Sequence, residues 1–255
     1  MDKFLEGKTA LVTGASRGLG RAIAEEYAAR GAVVAINYAS NDAAAAETLA
    51  AIEAKGGKAF LIKCPLGSLD AAEQVAAALD AGLQERTGGT GLDILVNNAG
   101  GGQVANFDAT TPEIFDKVLS DNLTAPFWLT KVLRSRLRDG GRVINVGSLG
   151  ARTAVVDYIV YAMSKRALET FTIILAKELG PQNITVNCIN PGLIESDANV
   201  HVRANEQISG YLLHTTPMHR FGVPEDFAGV AVSLASPNMG YVTGQIIEVA
   251  GGMSL

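Results

Sequence analysis

The sequence predicts an α/β fold: a doubly wound parallel sheet of seven strands, with helices on both faces. Three observations predict it. Short apolar runs alternate with longer amphipathic segments along all 255 residues, the pattern of repeated strand–helix–strand units. Hydrophobic residues make up 48% of the chain and charged residues only 18%, which suits strands buried on both faces. A glycine-rich turn, Gly14-Ala-Ser-Arg-Gly18-Leu-Gly20, joins the first apolar run to the first amphipathic one.

Thr9–Thr13 reads as the first strand, and the helical pattern Gly18–Arg30 follows its turn. Val33–Tyr38, an uncharged run of six, is the second strand, and the alanine-rich Ala43–Lys55 is the helix that leads to Ala59–Cys64. Leu69–Arg86 is the third helix. Gly88–Gly91 is glycine-rich but short, so it reads as a helix-to-strand turn before Ile94–Asn97. Pro112–Leu137 is predicted as one long helix before the strand Arg142–Gly147. Tyr158–Leu179, Thr185–Asn190, Pro224–Ala235 and Gln245–Val249 complete the alternation, with an expected strand order of 3-2-1-4-5-6-7. No proline-rich or Gly/Ser-rich linker interrupts the chain, so residues 1–255 are expected to form a single domain. The connection between Pro191 and Pro224 is unusually long. It follows the C-terminal end of a strand, where ligands of open α/β sheets bind, so residues 194–216 are expected to form a substrate lid.

The formal net charge of −5 disfavours nucleic acid and anionic membrane surfaces as partners. No apolar stretch is long enough to cross a membrane, and Met1–Lys8 lacks the apolar core of a secretory signal, so the cytoplasm is the expected location. Cys64 and Cys188 lie far apart in strand-like runs and read as buried thiols. His201, His214 and His219 share no metal-ligand spacing, so no metal is expected.

The glycine turn points to a phosphate. Gly14, Gly18 and Gly20 let the chain turn tightly, and with Ser16, Arg17 and Leu19 they bring backbone N–H groups to a helix N-terminus. A Rossmann-type dinucleotide site follows. NAD sites carry an acid about 20 residues further on, but here the second strand ends in Asn37-Tyr38-Ala39-Ser40. Without a carboxylate to repel a 2′-phosphate, and with Arg17 at hand to pair with it, NADP(H) is the expected cofactor.

At this point the chain resembles the short-chain dehydrogenase/reductase family, in its single-domain branch. The resemblance rests on Thr13-Gly14-x3-Gly18-x-Gly20, Asn97-Asn98-Ala99-Gly100, Asn122, Ser148, Tyr161-x3-Lys165 and Pro191-Gly192, in the right order over nearly the whole chain. It implies reversible hydride transfer between NADP(H) and a ketone or secondary alcohol, with Asn122, Ser148, Tyr161 and Lys165 as catalytic residues. It also implies cofactor contacts from Leu66, Asn98, Ala99, Gly100, Tyr161, Lys165, Pro191, Gly192, Ile194 and Ser196. Lys165 is implied to hold the nicotinamide ribose, and Asn122 to position a water that relays protons. A homotetramer is implied too, the helices at Pro112–Leu137 and Tyr158–Leu179 pairing between subunits.

The residues support the chemistry directly. Tyr161 and Lys165 are four apart on one helix face. Free tyrosine has a pKa near about 10, and a nearby ammonium favours the phenolate, so Lys165 is expected to lower it. Tyr161 is then the general acid in reduction and the base in oxidation, while Ser148 hydrogen-bonds the substrate oxygen.

Some features point elsewhere. Tyr158 lies seven residues before Lys165, a spacing that resembles the enoyl thioester reductases of the superfamily. Those enzymes lack the serine at this place, and Tyr158 reads as a pocket wall. A non-catalytic NADP(H)-binding protein is the alternative from another class, and it needs no proton donor. Pro65-Leu66 replaces the family's usual Asp-Val, and Ala250-Gly251-Gly252 replaces its Asp-Gly-Gly. Resemblance to 3-oxoacyl-carrier-protein reductases, in Asn37–Ser40 and Pro217–Asp226, raises a carrier-bound substrate. Arg134, Arg136, Arg138 and Arg152 are the candidate docking cations, and a solvated face is the simpler reading of them.

Overall fold

The computed structural model describes residues 2–196 and 199–255. Asp197 and Ala198, which fall within the expected lid, lie outside the described residues. The apolar runs form β1 (Thr9–Val12), β2 (Val33–Tyr38), β3 (Lys58–Lys63), β4 (Leu92–Asn97), β5 (Leu137–Val146), β6 (Thr185–Pro191) and β7 (Ile246–Val249). They pair in parallel as one sheet in the order β3-β2-β1-β4-β5-β6-β7. From β1 the chain moves out to β3, then crosses back to β4 and proceeds to the other edge. The order reverses between β1 and β4, which opens a crevice at their C-terminal ends.

Successive side chains of a strand face opposite ways, and both faces are covered. Leu11, Leu95 and Val143 meet Val75 and Leu79 of α3 (Leu69–Thr87), Leu129 and Leu133 of α5 (Ala125–Leu133), and Leu175 and Leu179 of α6 (Ile159–Leu179). Their neighbours Val12, Val96 and Ile144 meet Ile23 and Tyr27 of α1 (Gly18–Ala29), and Phe227 and Ala231 of α9 (Pro224–Ala235). Each such side chain contributes about 1.5–3 kcal/mol by leaving water. The Tyr27 hydroxyl donates to the Ala231 carbonyl at 3.1 Å and joins α1 to α9.

Two segments differ from expectation. The long helix at 112–137 is α4 (Pro112–Leu119), a π-helical turn (Ser120–Thr124) and then α5, and β5 has already begun at Leu137. A polar side chain that bonds the backbone and a proline explain the interruption: Asn122 Nδ2 donates to the Val118 carbonyl at 2.9 Å, and Pro126 has no N–H to offer the Asn122 carbonyl. The connection after β6 holds two helices, α7 (Val200–Ala204) and α8 (Glu206–Thr215). Asn205 caps α8 by accepting from Gln207 N and Ile208 N. Ile194 is buried in the core and bridges to Gly222, which anchors both ends of the segment.

Candidate active site

The turn after β1 is built for an anion. Gly14 and Gly18 adopt φ of 62° and 56°, the left-handed region open mainly to glycine. A side chain on Gly20 would place its Cβ 2.5 Å from both the Gly14 carbonyl oxygen and Asn98 Nδ2. Helices α2 (Asp42–Ala54), α3, α4 and α8 are each capped by a side chain and carry an acid in the first turn. Helix α1 has neither: Arg17 makes no side-chain cap, and no acid follows it. Its first amides and the positive end of its dipole therefore face the crevice without an internal anion, as a pyrophosphate requires.

Neighbouring elements hold that turn. Ala15 N donates to the Asn37 carbonyl at 2.9 Å, and Thr48 Oγ1 to the Ser16 carbonyl at 3.0 Å. Asn98 Nδ2 donates to the Thr13 carbonyl at 2.8 Å, while Thr13 Oγ1 accepts from the Asn98 and Ala99 amides, each at 2.9 Å. The Asn37 amide is spent on the carbonyls of Ile62 and Cys64, at 3.2 and 3.0 Å. It fixes the strand end instead of facing a ribose. Arg17, Ala39 and Ser40 are exposed there, and the Tyr38 hydroxyl donates to Asp42, whose other oxygen pairs with Lys63. Leu66 packs against the core below α3 and α5.

The groups expected to react meet at the ends of β5 and α6. Ser148 follows β5; its Oγ accepts from Gly150 N at 3.0 Å, and its own amide donates to Asn190 Oδ1 at 3.1 Å. Lys165 is 4% exposed. Its Nζ donates to the Val146 carbonyl at 2.7 Å and lies 5.7 Å from the centre of the Tyr161 ring. Burial pulls the Lys165 ammonium down from 10.5 to about 8. Tyr161 corrects the expectation of a lowered pKa: burial raises the phenol, a hydrogen bond with Ser148 opposes that, and Tyr158 adds to the rise. With its ammonium turned to Val146, Lys165 does not reverse the cost of burying a phenolate. Tyr161 is thus a protonated donor at neutral pH. Tyr158 stands edge-on to it, with ring centres 6.1 Å apart.

Asn122 sits in the π-helical turn, fully buried. Its side chain takes both backbone groups of Gly101, accepting from N at 3.2 Å and donating to O at 2.8 Å. That seats the segment 99–102 beside Lys165: a Cβ on Gly100 would lie 3.5 Å from its Nζ. Gly192 donates to the Val249 carbonyl and packs on Ala250, so the Pro191-Gly192 turn leans on the tail of the chain. Three of the four arginines considered for docking are held by carboxylates. Asp80 takes Arg136 through two bonds of 2.7 Å, Asp93 takes Arg138 at 2.6 Å, and Glu248 takes Arg152.

The comparisons with known proteins agree with this geometry. A family model described as Enoyl-(Acyl carrier protein) reductase matches residues 14–254. Tetrahydroxynaphthalene reductase of Pyricularia oryzae is 36% identical, over 97% of this chain and 90% of its own. The 3-oxoacyl-[acyl-carrier-protein] reductase FabG of Aquifex aeolicus is 37% identical over 99% of this chain and 100% of its own. The chain belongs to the short-chain dehydrogenase/reductase family. Among solved structures, the angucycline C-6 ketoreductase LanV with bound NADP superposes with a TM-score of 0.93 at 41% identity, covering 99% of this chain and 97% of that one.

As a short-chain dehydrogenase/reductase the protein is an oxidoreductase, and its departures from the family pattern have a structural place. Pro65-Leu66 leaves no carboxylate after β3, and Leu66 instead extends the core. Several supporting residues escaped the sequence reading. Asn97 Nδ2 donates to Thr130 and to Asn145 Oδ1, and Asn145 Nδ2 to Thr172 of α6. This buried ladder fixes α6, and hence Tyr161 and Lys165, against β5. The available signal was Asn145, a polar residue inside the apolar run Val143–Val146.

Proposed function

We propose that the protein reduces a ring ketone of a fused aromatic compound to the secondary alcohol with NADPH. The observation that carries this reading is the meeting of Ser148, Tyr161 and Lys165 at the ends of β5 and α6, with Lys165 Nζ 5.7 Å from the centre of the Tyr161 ring; the raised phenol suits Tyr161 as the proton donor. In this reading the first turn of α1 takes the pyrophosphate, and Arg17 and Ser40 take the 2′-phosphate. Two of the three Lys165 donors remain for the nicotinamide ribose after the bond to Val146. Asn98, Ala99, Gly100, Pro191, Gly192, Ile194 and Ser196 line the nicotinamide end. Bound there, NADPH supplies the hydride. Ser148 donates to the substrate oxygen as charge develops on it, and Tyr161 delivers the proton. Lys165, largely an ammonium at neutral pH, keeps a positive charge near the reacting oxygen. Asn122 holds the water that returns the proton from solvent.

The substrate class is supported by the apolar mouth. Residues 101–105 lie beside Tyr158, with Ala105 N donating to the Asp157 carbonyl at 2.8 Å. Val104, Phe107, Val155 and Val156 are exposed around it, and Ile208, Tyr211 and Met218 are exposed on and just after α8, in the 194–222 connection. Exposed apolar patches of this kind mark ligand-binding grooves. Relatives named as hydroxynaphthalene and versicolorin reductases and as an angucycline C-6 ketoreductase favour the same class. Residues 194–216 act as the lid, the single domain assembles as a homotetramer through α4–α6, and the working location is the cytoplasm. Turnover of NADPH with a hydroxynaphthalenone or anthraquinone-type ketone, and not with a 3-oxoacyl or enoyl thioester, is the expected result; the reverse preference overturns the substrate class.

A further inference from the structure

Between β6 and α6 lies a polar pair that the chemistry above does not use. Glu169 is 2% exposed and Asn190 fully buried. Asn190 Nδ2 donates to Glu169 Oε1 at 2.6 Å, and Asn190 Oδ1 accepts from the Ser148 amide at 3.1 Å. The same Oδ1 also meets the Cys188 thiol at 3.4 Å. At the outer end Arg166, 65% exposed at its side chain, reaches Glu169 Oε2 at 2.6 Å.

The chemistry fixes the direction of this chain of bonds. An ionised carboxylate only accepts, so the amide nitrogen must face Glu169 and the amide oxygen must face Ser148. A buried carboxylate without partners is destabilising, whereas one with both oxygens engaged stiffens its surroundings. Gly147 lacks the Cβ that would collide with Asn190 Oδ1, so the amide packs directly against the strand end that carries Ser148.

We infer that Glu169 and Asn190 are positioning residues for ketone reduction, with the carboxylate orienting the Asn190 amide so that its oxygen holds the Ser148 backbone and aims the Ser148 hydroxyl. The inference rests on the proposed role of Ser148. Neither residue touches the substrate, so their effect belongs in kcat and not in NADPH binding.

Three near-isosteric variants test it: Asn190→Asp, the double variant Asn190→Asp/Glu169→Gln, and Ser148→Ala as reference. Asn190→Asp sets two carboxylates face to face; kcat should fall about tenfold or more, with KM for NADPH within about twofold. Adding Glu169→Gln restores a donor–acceptor pair with its polarity reversed, and kcat should return to within about threefold of the parent. A lowered Tm with parental kcat for Asn190→Asp, or no recovery of kcat in the double variant, overturns the inference. Should Asn190→Asp not fold, the double variant alone decides by the same threefold limit. Parental kcat in Ser148→Ala removes the role of Ser148 and the inference with it. An inactive Ser148→Ala beside an unaffected Asn190→Asp contradicts the inference alone.

Discussion

Tyr161 and Lys165 share one helix face, yet burial acts on them in opposite senses: it holds the phenol protonated and pulls the ammonium down to about 8. This state suits reduction, because a donor phenol and a charged lysine coexist only below that value. Ketone reduction should therefore be level near neutral pH and decline as pH rises through about 8; a rate that holds to pH 10 would contradict the lysine's role. Tyr161→Phe removes the transferable proton and should lower kcat by about two to four orders of magnitude, as loss of a general acid does. Its NADPH Kd should stay near parental, and Tyr158→Phe should keep most of the activity. An active Tyr161→Phe beside an inactive Tyr158→Phe would move the acid to Tyr158.

Lys165 also exposes a conflict between function and stability. At Lys165 the folded protein holds fewer protons than the unfolded chain between pH about 8 and 10.5, so this residue's contribution to folding stability rises with pH across that window, while the raised Cys188 thiol opposes it above about 9. Below it, the buried charge costs on the order of 3 kcal/mol. Lys165→Met should abolish reduction yet raise stability at pH 7 by about 1–2 kcal/mol, part of the gain being offset by the Val146 carbonyl left without its donor. A lower Tm at pH 7 would show that the bond to Val146 outweighs the burial. That Tyr161, Lys165 and Ser148 would lie together was legible in the sequence from their spacing and the family resemblance. The pKa of Tyr161 was not, because it depends on where the ammonium turns and how deep the phenol sits.

At the scale of elements, strand and helix runs were legible wherever the apolar period was unbroken, as in Val33–Tyr38 and Tyr158–Leu179. Reading failed at 112–137, where propensity stays helical throughout. There the π-helical turn carries the Asn122–Val118 bond and Pro126, and the same Asn122 amide is also held by Gly101, a contact that sequence alone does not show. The first turn of α1 makes the sharpest test at this scale. Gly20→Ala drives a methyl against Asn98 and the Gly14 carbonyl, so NADPH affinity should fall at least about tenfold, as a displaced anion cradle implies. Unchanged affinity, measured by fluorescence titration, would remove the pyrophosphate from this turn.

For the whole molecule, the parallel sheet covered on both faces follows from composition and alternation, because a sheet apolar on both faces needs crossover helices on each; the strand order does not follow from them. Asn145 inside an apolar run hinted at a buried polar contact, but its pairing with Asn97 and Thr172 was beyond reach, since the ladder joins residues far apart in sequence. Phe115, Phe127, Ile173 and Ile174 stand exposed on α4, α5 and α6, and a tetramer would cover them. Light scattering should report a tetramer, and Ile174→Lys should shift it toward dimers; a monomeric parent would contradict the assembly. The most direct test of ketone reduction itself is NADPH oxidation, followed by absorbance, with an aromatic ring ketone, a 3-oxoacyl thioester and an enoyl thioester in parallel. The account predicts turnover with the ring ketone that Tyr161→Phe abolishes. Turnover confined to the enoyl thioester, or binding of NADPH with no turnover of any ketone, would contradict it.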